Sequence, residues 1–164
     1  MKKTQKGWNS TLAPSGFKKK TKGSKRKAKP TAHKLAKDKA WDACSRYIRL
    51  RDSLRTTGTI ERCACVTCGK VLPAFGKGCI QAGHWLGGRK GKNLFDERGI
   101  HGQCYGCNCC AGGQQIAYTA WMTDYYGHDV MDELVRQGNM PYKYSVDELY
   151  VIRAEYDAKA KKLA

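Results

Sequence analysis

Apolar side chains recur with the 3.6-residue period of an amphipathic helix in four segments of the chain. The first segment begins at Asp38 and ends at the glycine of TTGT, Gly58. Its apolar face is formed by Trp41, Cys44, Tyr47 and Ile48, with Arg46, Arg49 and Arg51 outside it. This pattern predicts an N-terminal helix of about four turns.

Further helices are predicted after Cys110. QQIAYTAWMTDYYG has helical periodicity and ends at Gly127, and DVMDELVRQG ends at Gly138. The last segment opens with Ser145 and has Glu148 three residues later, which is the spacing of a capping box. We therefore expect two or three C-terminal helices.

Residues 60–110 lack helical periodicity and hold ten of the chain's 18 glycines, which favours short strands and tight turns. CVTCGK is predicted to be a metal-binding turn, and CIQAGHW a strand that leads to His84. The predicted fold class is α+β, with a small metal-bound centre flanked by the N-terminal helix and the C-terminal helices.

Basic residues are concentrated in the first part of the chain. Of 31 Lys+Arg, 13 lie in residues 1–37, which contain none of the 14 Asp+Glu. This stretch has little apolar surface to bury, so we expect a flexible basic arm, with the folded domain over residues 38–164. Such an arm favours a polyanionic partner, with nucleic acid the leading candidate. A merely solubilising tail is the alternative.

The sequence gives no sign of a membrane partner. No apolar run approaches the roughly 20 residues needed to cross a bilayer. The positively charged start is not followed by the apolar stretch of a signal peptide. We therefore expect an intracellular, cytoplasmic protein, in which clustered cysteines bind metal more often than they form disulfides.

Two Cys-x-x-Cys pairs, separated by 35 residues, predict a structural Zn²⁺ site. The pairs are Cys65 with Cys68 and Cys104 with Cys107. A thiol redox protein is the less favoured alternative, because two pairs in a basic protein favour metal. Cys44 and Cys79 are expected to be small core residues, and Cys63 fits strand alternation. Cys109 and Cys110 follow the second pair and could compete for the metal.

His84 lies between Gly83 and the basic, glycine-rich segment LGGRKGK, where a phosphate backbone can approach closely. A lone histidine is more often structural than catalytic, so this context is what favours chemistry at His84. The candidate nucleic-acid contacts are Arg89, Lys90 and Lys92 in this segment and Arg46 and Arg49 on the first helix.

Several segments resemble the HNH, or ββα-metal, nuclease motif and, more closely, the phage NinG/Rap recombination proteins. They are SRYIRLRD at 45–52, CVTCGK at 65–70, QAGHW at 81–85, FDERGIHGQCYGCN at 95–108 and YYGHDVMDEL at 125–134. The resemblance extends from about Trp41 to the C-terminus. It implies a metal-dependent, structure-specific DNA endonuclease that hydrolyses phosphodiester bonds in branched recombination intermediates inside a host cell.

The resemblance also implies the roles of three residues. His84 would be the general base that takes a proton from the attacking water. Asn108 would hold a catalytic Mg²⁺ or Mn²⁺. His101 would orient His84 or contact phosphate.

The chain departs from the motif at Gly83, at Gly99 and in CCAGGQQ after Asn108, which lacks the basic or histidine residue commonly found there. Many HNH motifs have an acidic cation ligand directly before the base histidine, where this chain has Gly83, and Gly99 stands where the family often has Asn. The second cation ligand stays open between Gln81, Asp96 and Glu97. For the last two, a solvated loop or an ion pair with Arg98 is an equal alternative. A zinc-stabilised DNA-binding protein without catalysis is therefore the alternative function. The preferred DNA structure and a homodimeric state also stay open.

Overall fold

The structure is a computed structural model that describes residues 29–87 and 91–164. Most of the expected basic arm, residues 1–28, lies outside the described residues, as do the candidate DNA contacts Arg89 and Lys90. Within the described residues, no helix is long and apolar enough to cross a membrane.

Four α-helices frame the described part of the chain. They are α1 (Ala32–Thr57), α2 (Gln115–Tyr126), α3 (His128–Gly138) and α4 (Val146–Leu163). The predicted stops at Gly58 and Gly127 and the Ser145 capping box of α4 are confirmed. Helix α1 begins at Ala32 rather than at Asp38, because the Thr31 side chain accepts a hydrogen bond from the Lys34 amide and caps the helix. Residues 32–37, assigned to the arm from the sequence, therefore belong to the helix.

Two antiparallel β-ribbons lie between α1 and α2. The first pairs β1 (Arg62–Ala64) with β2 (Val71–Pro73), and the second pairs β3 (Gln81–His84) with β4 (Ile100–Gln103). Strand β3 confirms the predicted strand that leads to His84. After β4, a single turn of π-helix, Gly106–Cys110, leads towards α2.

The β3–β4 ribbon lies between two helical layers. Ala82 and Ile100 pack into one apolar cluster with residues of α1 and α4. Beyond the ribbon, Trp85 packs with Tyr118 of α2 and Leu134 of α3 in a second cluster. The three C-terminal helices therefore cover the centre as expected, and helices hold the ribbon from both sides.

Candidate metal centre and active site

Four cysteine thiols converge where the two ribbons meet. Cys65 and Cys68 lie in the turn between β1 and β2, and Cys104 and Cys107 follow β4. All four Sγ atoms lie within 4.8 Å of one another, and the Cys68 and Cys104 sulfurs are 3.8 Å apart. A tetrahedral zinc site with Zn–S bonds of about 2.3 Å has S–S edges of about 3.8 Å. The predicted ligand set is therefore brought together in a geometry consistent with a structural metal such as zinc.

The thiols also differ in acidity. Burial opposes ionisation of Cys65, but hydrogen bonds from Thr67 and from the Cys104 amide lower the pKa of Cys65 to about 6. A hydrogen bond with Thr67 favours ionisation of Cys107, but burial and the neighbouring thiols raise the pKa of Cys107 to about 12. Because several thiolates this close repel one another, a bound cation would be needed to stabilise them together.

The remaining cysteines lie outside this group of four. Cys44 is buried on α1, and Cys63 is buried on β1, as strand alternation predicted. Cys79 is half-buried rather than a full core residue, and Cys109 and Cys110 are exposed. No further thiol belongs to the metal cluster in the part of the chain that the structure describes.

His84 is the last residue of β3, and its ring is held on two sides. The ring stacks on Trp41 of α1, with 4.9 Å between the centroids, and Nε2 lies 3.2 Å from the Leu94 carbonyl oxygen. Because a carbonyl can only accept, Nε2 donates, and Nδ1 is the proton-accepting nitrogen of the neutral ring. His84 also lines a surface cavity of about 260 Å³.

Asn108 lies in the π-helical turn, on the other face of the same strand. Its Nδ2 donates to Gln81 Oε1 at 2.8 Å. A Cβ atom at Gly83 would lie 3.1 Å from Asn108 Oδ1. Successive side chains on a strand point to opposite faces, so Asn108 meets the Gln81–Gly83 face, whereas His84 points to the face covered by α1.

His84 and Asn108, the two central residues of the predicted site, therefore lie near the same strand but on opposite faces of the ribbon. The structure does not place the imidazole and the carboxamide over one point on a single face. A phosphate group that reached both would have to lie across the end of β3, where the strand finishes at His84.

Gln103 is a residue that the sequence did not single out. It is fully buried, its Nε2 donates to the Gly113 carbonyl at 2.8 Å, and its Oε1 has no hydrogen-bond partner. A side chain at position 83 would collide with this oxygen. The carboxamide of Gln103 thus takes the space next to Asn108 that the missing side chain of Gly83 leaves. Gln103 could have been found only from the pairing of β3 with β4, and the sequence does not reveal this pairing.

The structure separates the three candidates for a second cation ligand. Asp96 caps the Arg98 amide and forms an ion pair with the Arg98 guanidinium at 2.7 Å. Glu97 lies 3.4 Å from the Lys159 ammonium. Gln81 is the candidate that contacts Asn108. Gln81, Gln103 and Asn108 together offer carboxamide oxygens, which suit a hard divalent cation. These three residues are therefore the candidates to hold such an ion, although none of them is charged and Gln81 Oε1 already accepts a hydrogen bond from Asn108.

His101 does not have the surroundings of a phosphate contact. It is fully buried, Arg51 donates to its Nδ1 at 2.8 Å, and its Nε2 donates to the Arg98 carbonyl at 3.0 Å. The pKa of His101 is lowered, because the effect of burial outweighs the opposing effect of the nearby Asp52 carboxylate. His101 pairs with Gly83, so it also lies on the ribbon face opposite His84. These surroundings favour a structural role for His101 over either role expected from the sequence.

Asp52 links α1 to β4 beside this histidine. Its Oδ2 accepts the Gly102 amide at 2.7 Å, and its Oδ1 pairs with Arg51 at 2.8 Å. Burial opposes ionisation, but the charge and hydrogen bond of Arg51 hold the pKa of Asp52 well below its usual range.

The described candidate DNA contacts are each engaged within the protein. Arg46 pairs with Asp157 at 2.7 Å, and the Arg49 guanidinium lies 4.4 Å from the ring centroid of Phe75. Lys92 is exposed, with its Nζ 5.3 Å from the ring centroid of Tyr142. Their roles in binding DNA stay predictions.

Comparison with known proteins gives one consistent family. The family described as "Bacteriophage Lambda NinG protein" matches residues 1–164. Proteins named "Protein ninG" from Escherichia phage 933W, Escherichia phage lambda and Salmonella phage P22 are each 30% identical over 125 residues. No solved structure matches the chain.

These matches cover 76% of this chain but 56% of the phage 933W protein and 55% of the lambda and P22 proteins. The match thus spans about half the length of the curated relatives.

Proposed function

The chain belongs to the NinG family of bacteriophage proteins, and from this premise we propose that it is a metal-dependent endonuclease that cuts branched DNA during phage recombination. The observation that carries the proposal is the setting of His84. Its ring is fixed by Trp41 and by the Leu94 carbonyl at the edge of a surface cavity. A general base needs this combination of fixed orientation and access to its substrate.

In this proposal, His84 activates the water that attacks the scissile phosphorus. With Nε2 donating to the Leu94 carbonyl, Nδ1 would be the ring nitrogen that accepts the water proton. The stacking contact with Trp41 resists rotation of the ring, which keeps Nδ1 in one direction while the proton is transferred.

The carboxamides of Asn108, Gln81 and Gln103 would hold the catalytic Mg²⁺ or Mn²⁺. When bound, this ion would stabilise charge on the phosphate oxygens and on the leaving oxygen. Because the three ligands are neutral, the DNA phosphate would supply the negative charge that carboxylates provide in other sites. The phosphate would lie across the end of β3, so that it reaches His84 from one face and Asn108 from the other.

The zinc centre would hold the site residues in position and would take no part in the cleavage reaction. Cys104 is joined directly to β4, and Cys107 directly precedes Asn108. Holding these two thiolates together with Cys65 and Cys68 would fix the π-helical turn against β3.

A zinc-stabilised DNA-binding protein without catalysis is the second candidate. Two observations favour it: His84 and Asn108 lie on opposite ribbon faces, and the side chain of an acidic ligand at position 83 would collide with Gln103. In that case basic residues around the cavity would contact phosphates, and binding would weaken steeply with salt.

Cleavage of synthetic DNA separates the two candidates. Zinc-loaded protein would be incubated with four-way junctions, forks and blunt duplexes in Mg²⁺ or Mn²⁺, and binding would be measured in parallel without either ion. We expect cuts near the branch point of junctions or forks, and none in the blunt duplex. Tight binding with no cleavage in either metal would select the non-catalytic function.

A further inference from the structure

A groove runs from His84 towards the loop between α3 and α4, and it is formed by two adjoining cavities. The cavity at His84, of about 260 Å³, shares Gly138 and Asn139 with a larger one of about 450 Å³. The larger cavity lies between the start of α1 and the loop. We call the pair the His84 groove and define it by His84, Asn93, Asn139, Lys37 and Lys143.

Asn93 gives the groove an unsatisfied hydrogen-bond acceptor. It is 9% exposed and lines the cavity at His84, yet its Oδ1 is buried with no partner. Its Nδ2 donates to the Leu134 carbonyl at 2.7 Å. Turning the amide over would set two oxygens against each other, so the orientation of Asn93 is fixed. A buried acceptor without a partner is unfavourable, and a donor group that reached this oxygen from the cavity would remove that cost.

The charge of the groove selects an anion. Lys37 and Lys143 line the larger cavity, and no Asp or Glu is among the described residues that line either one. The Lys92 ammonium lies nearby, over the ring of Tyr142, which also lines the larger cavity. The Tyr142 hydroxyl donates to Glu148, so one carboxylate accompanies the three lysines. An oligonucleotide strand fits both features, because its phosphates would meet the lysines while a base offers N–H donors.

We propose that the His84 groove binds an unpaired nucleotide of the DNA strand that passes His84. In a duplex, the Watson–Crick N–H donors are used in pairing, whereas in an unpaired strand they are available to a protein acceptor. This assignment rests on the proposed function, and it gives a physical reason for preferring branched DNA, in which unpaired nucleotides flank the duplex.

The test is equilibrium binding of three DNA probes without added Mg²⁺ or Mn²⁺. The probes are a blunt duplex, the same duplex with an unpaired thymidine flap, and the same duplex with a flap of abasic sites. Fluorescence anisotropy would be measured over a range of salt concentrations. Because no cleavage is needed, an inactive protein can still confirm or overturn the groove, and failure of the nuclease proposal is seen separately in the cleavage assay.

Two variants test the two features of the groove. Val135 is exposed at the rim of the cavity at His84, so Val135→Trp should block that cavity. Val151→Trp on the exposed side of α4 is its control. Lys37→Gln/Lys143→Gln should remove the phosphate contacts, with the exposed pair Lys161→Gln/Lys162→Gln as a charge-matched control.

We expect the wild type to bind the thymidine flap about five- to tenfold more tightly than the abasic flap, as one base hydrogen bond would give. Val135→Trp should lose this difference, and Val151→Trp should keep it. The lysine variant should reduce the salt slope on flapped DNA by about 0.7 for each lost phosphate contact. Equal wild-type affinity for the thymidine and abasic flaps, or an unchanged preference in Val135→Trp, would overturn the assignment.

Discussion

At the scale of single residues, hydrogen-bond partners assign different roles to the two histidines of the predicted site. Arg51 can only donate, so His101 Nδ1 must accept, and its Nε2 donates to a carbonyl. His101 is therefore neutral and enclosed. His84 is half-buried beside a surface cavity, and its Nε2 donates to the Leu94 carbonyl. The sequence did not distinguish the two histidines, because both lie between the two Cys-x-x-Cys pairs.

Stability should depend on pH through His101. Burial lowers the pKa of His101 in the folded state, so this contribution is complete above the unfolded pKa of about 6.5 and is lost as pH falls below it. The free energy of unfolding should decrease by at most about 1.4 kcal/mol per pH unit below that point. Urea unfolding between pH 7 and pH 5 measures this slope.

The variant His101→Gln isolates the effect, because glutamine does not titrate. Its slope over the same pH range should be smaller than that of the wild type, while His128→Gln, at an exposed position on α3, should keep the wild-type slope. An equal pH dependence of the free energy of unfolding in His101→Gln and the wild type would show that His101 does not cause the slope.

At the scale of elements, local patterns predicted what depends on local sequence. The stops at Gly58 and Gly127 and the capping box at Ser145 are properties of neighbouring residues, and all three are confirmed. The four cysteines that could hold a metal were also predictable, since each Cys-x-x-Cys pair is a local sequence pattern.

The arrangement around the ribbon was not predictable in the same way. It depends on the pairing of Gly83 with His101, which sets Gln81, Gln103 and Asn108 on one face and His84 on the other. A shift of one residue would exchange the faces. Likewise, Asp52 would be an ordinary helix carboxylate without its hydrogen bond from the Gly102 amide, which lies 50 positions further along the chain.

Loss of one metal thiol should disrupt the ribbon elements. Cys104→Ser removes a ligand that joins β4 to the turn after β1, and structural zinc contributes folding free energy directly. We expect less than one equivalent of bound zinc and a lower melting temperature, measured by metal analysis and circular dichroism.

Cys110→Ser is the matched control, because Cys110 is exposed and outside the group of four. It should keep zinc and the wild-type melting temperature. Native melting with full zinc content in Cys104→Ser would instead indicate that Cys109 or Cys110 replaces the lost ligand.

At the scale of the whole molecule, basic residues are concentrated at the start of the chain. The described helices hold the β3–β4 ribbon between two layers. Residues 1–28 carry ten of the 31 basic residues and no acidic one. We infer that these residues add affinity for DNA of any shape, whereas the ribbon and its groove provide preference.

Removal of residues 1–28 tests this division. Binding to junctions, forks and duplexes should weaken together, and the salt slope should fall on each, because phosphate contacts are lost irrespective of DNA shape. The melting temperature should not change, since α1 and its Thr31 cap remain. Unchanged affinity after truncation, measured by fluorescence anisotropy, would contradict a DNA-binding role for these residues.

The most direct measurement of the proposed function is the single-turnover cleavage rate of a branched DNA by His84→Ala. Zinc content, melting temperature and DNA affinity would first be matched to the wild type, and His128→Ala would serve as the histidine control. Loss of a general base should slow cleavage by about 10²- to 10⁴-fold with binding retained, while His128→Ala cuts at the wild-type rate. A folded, zinc-loaded His84→Ala protein that cuts as fast as the wild type would contradict the assignment of His84 as the base.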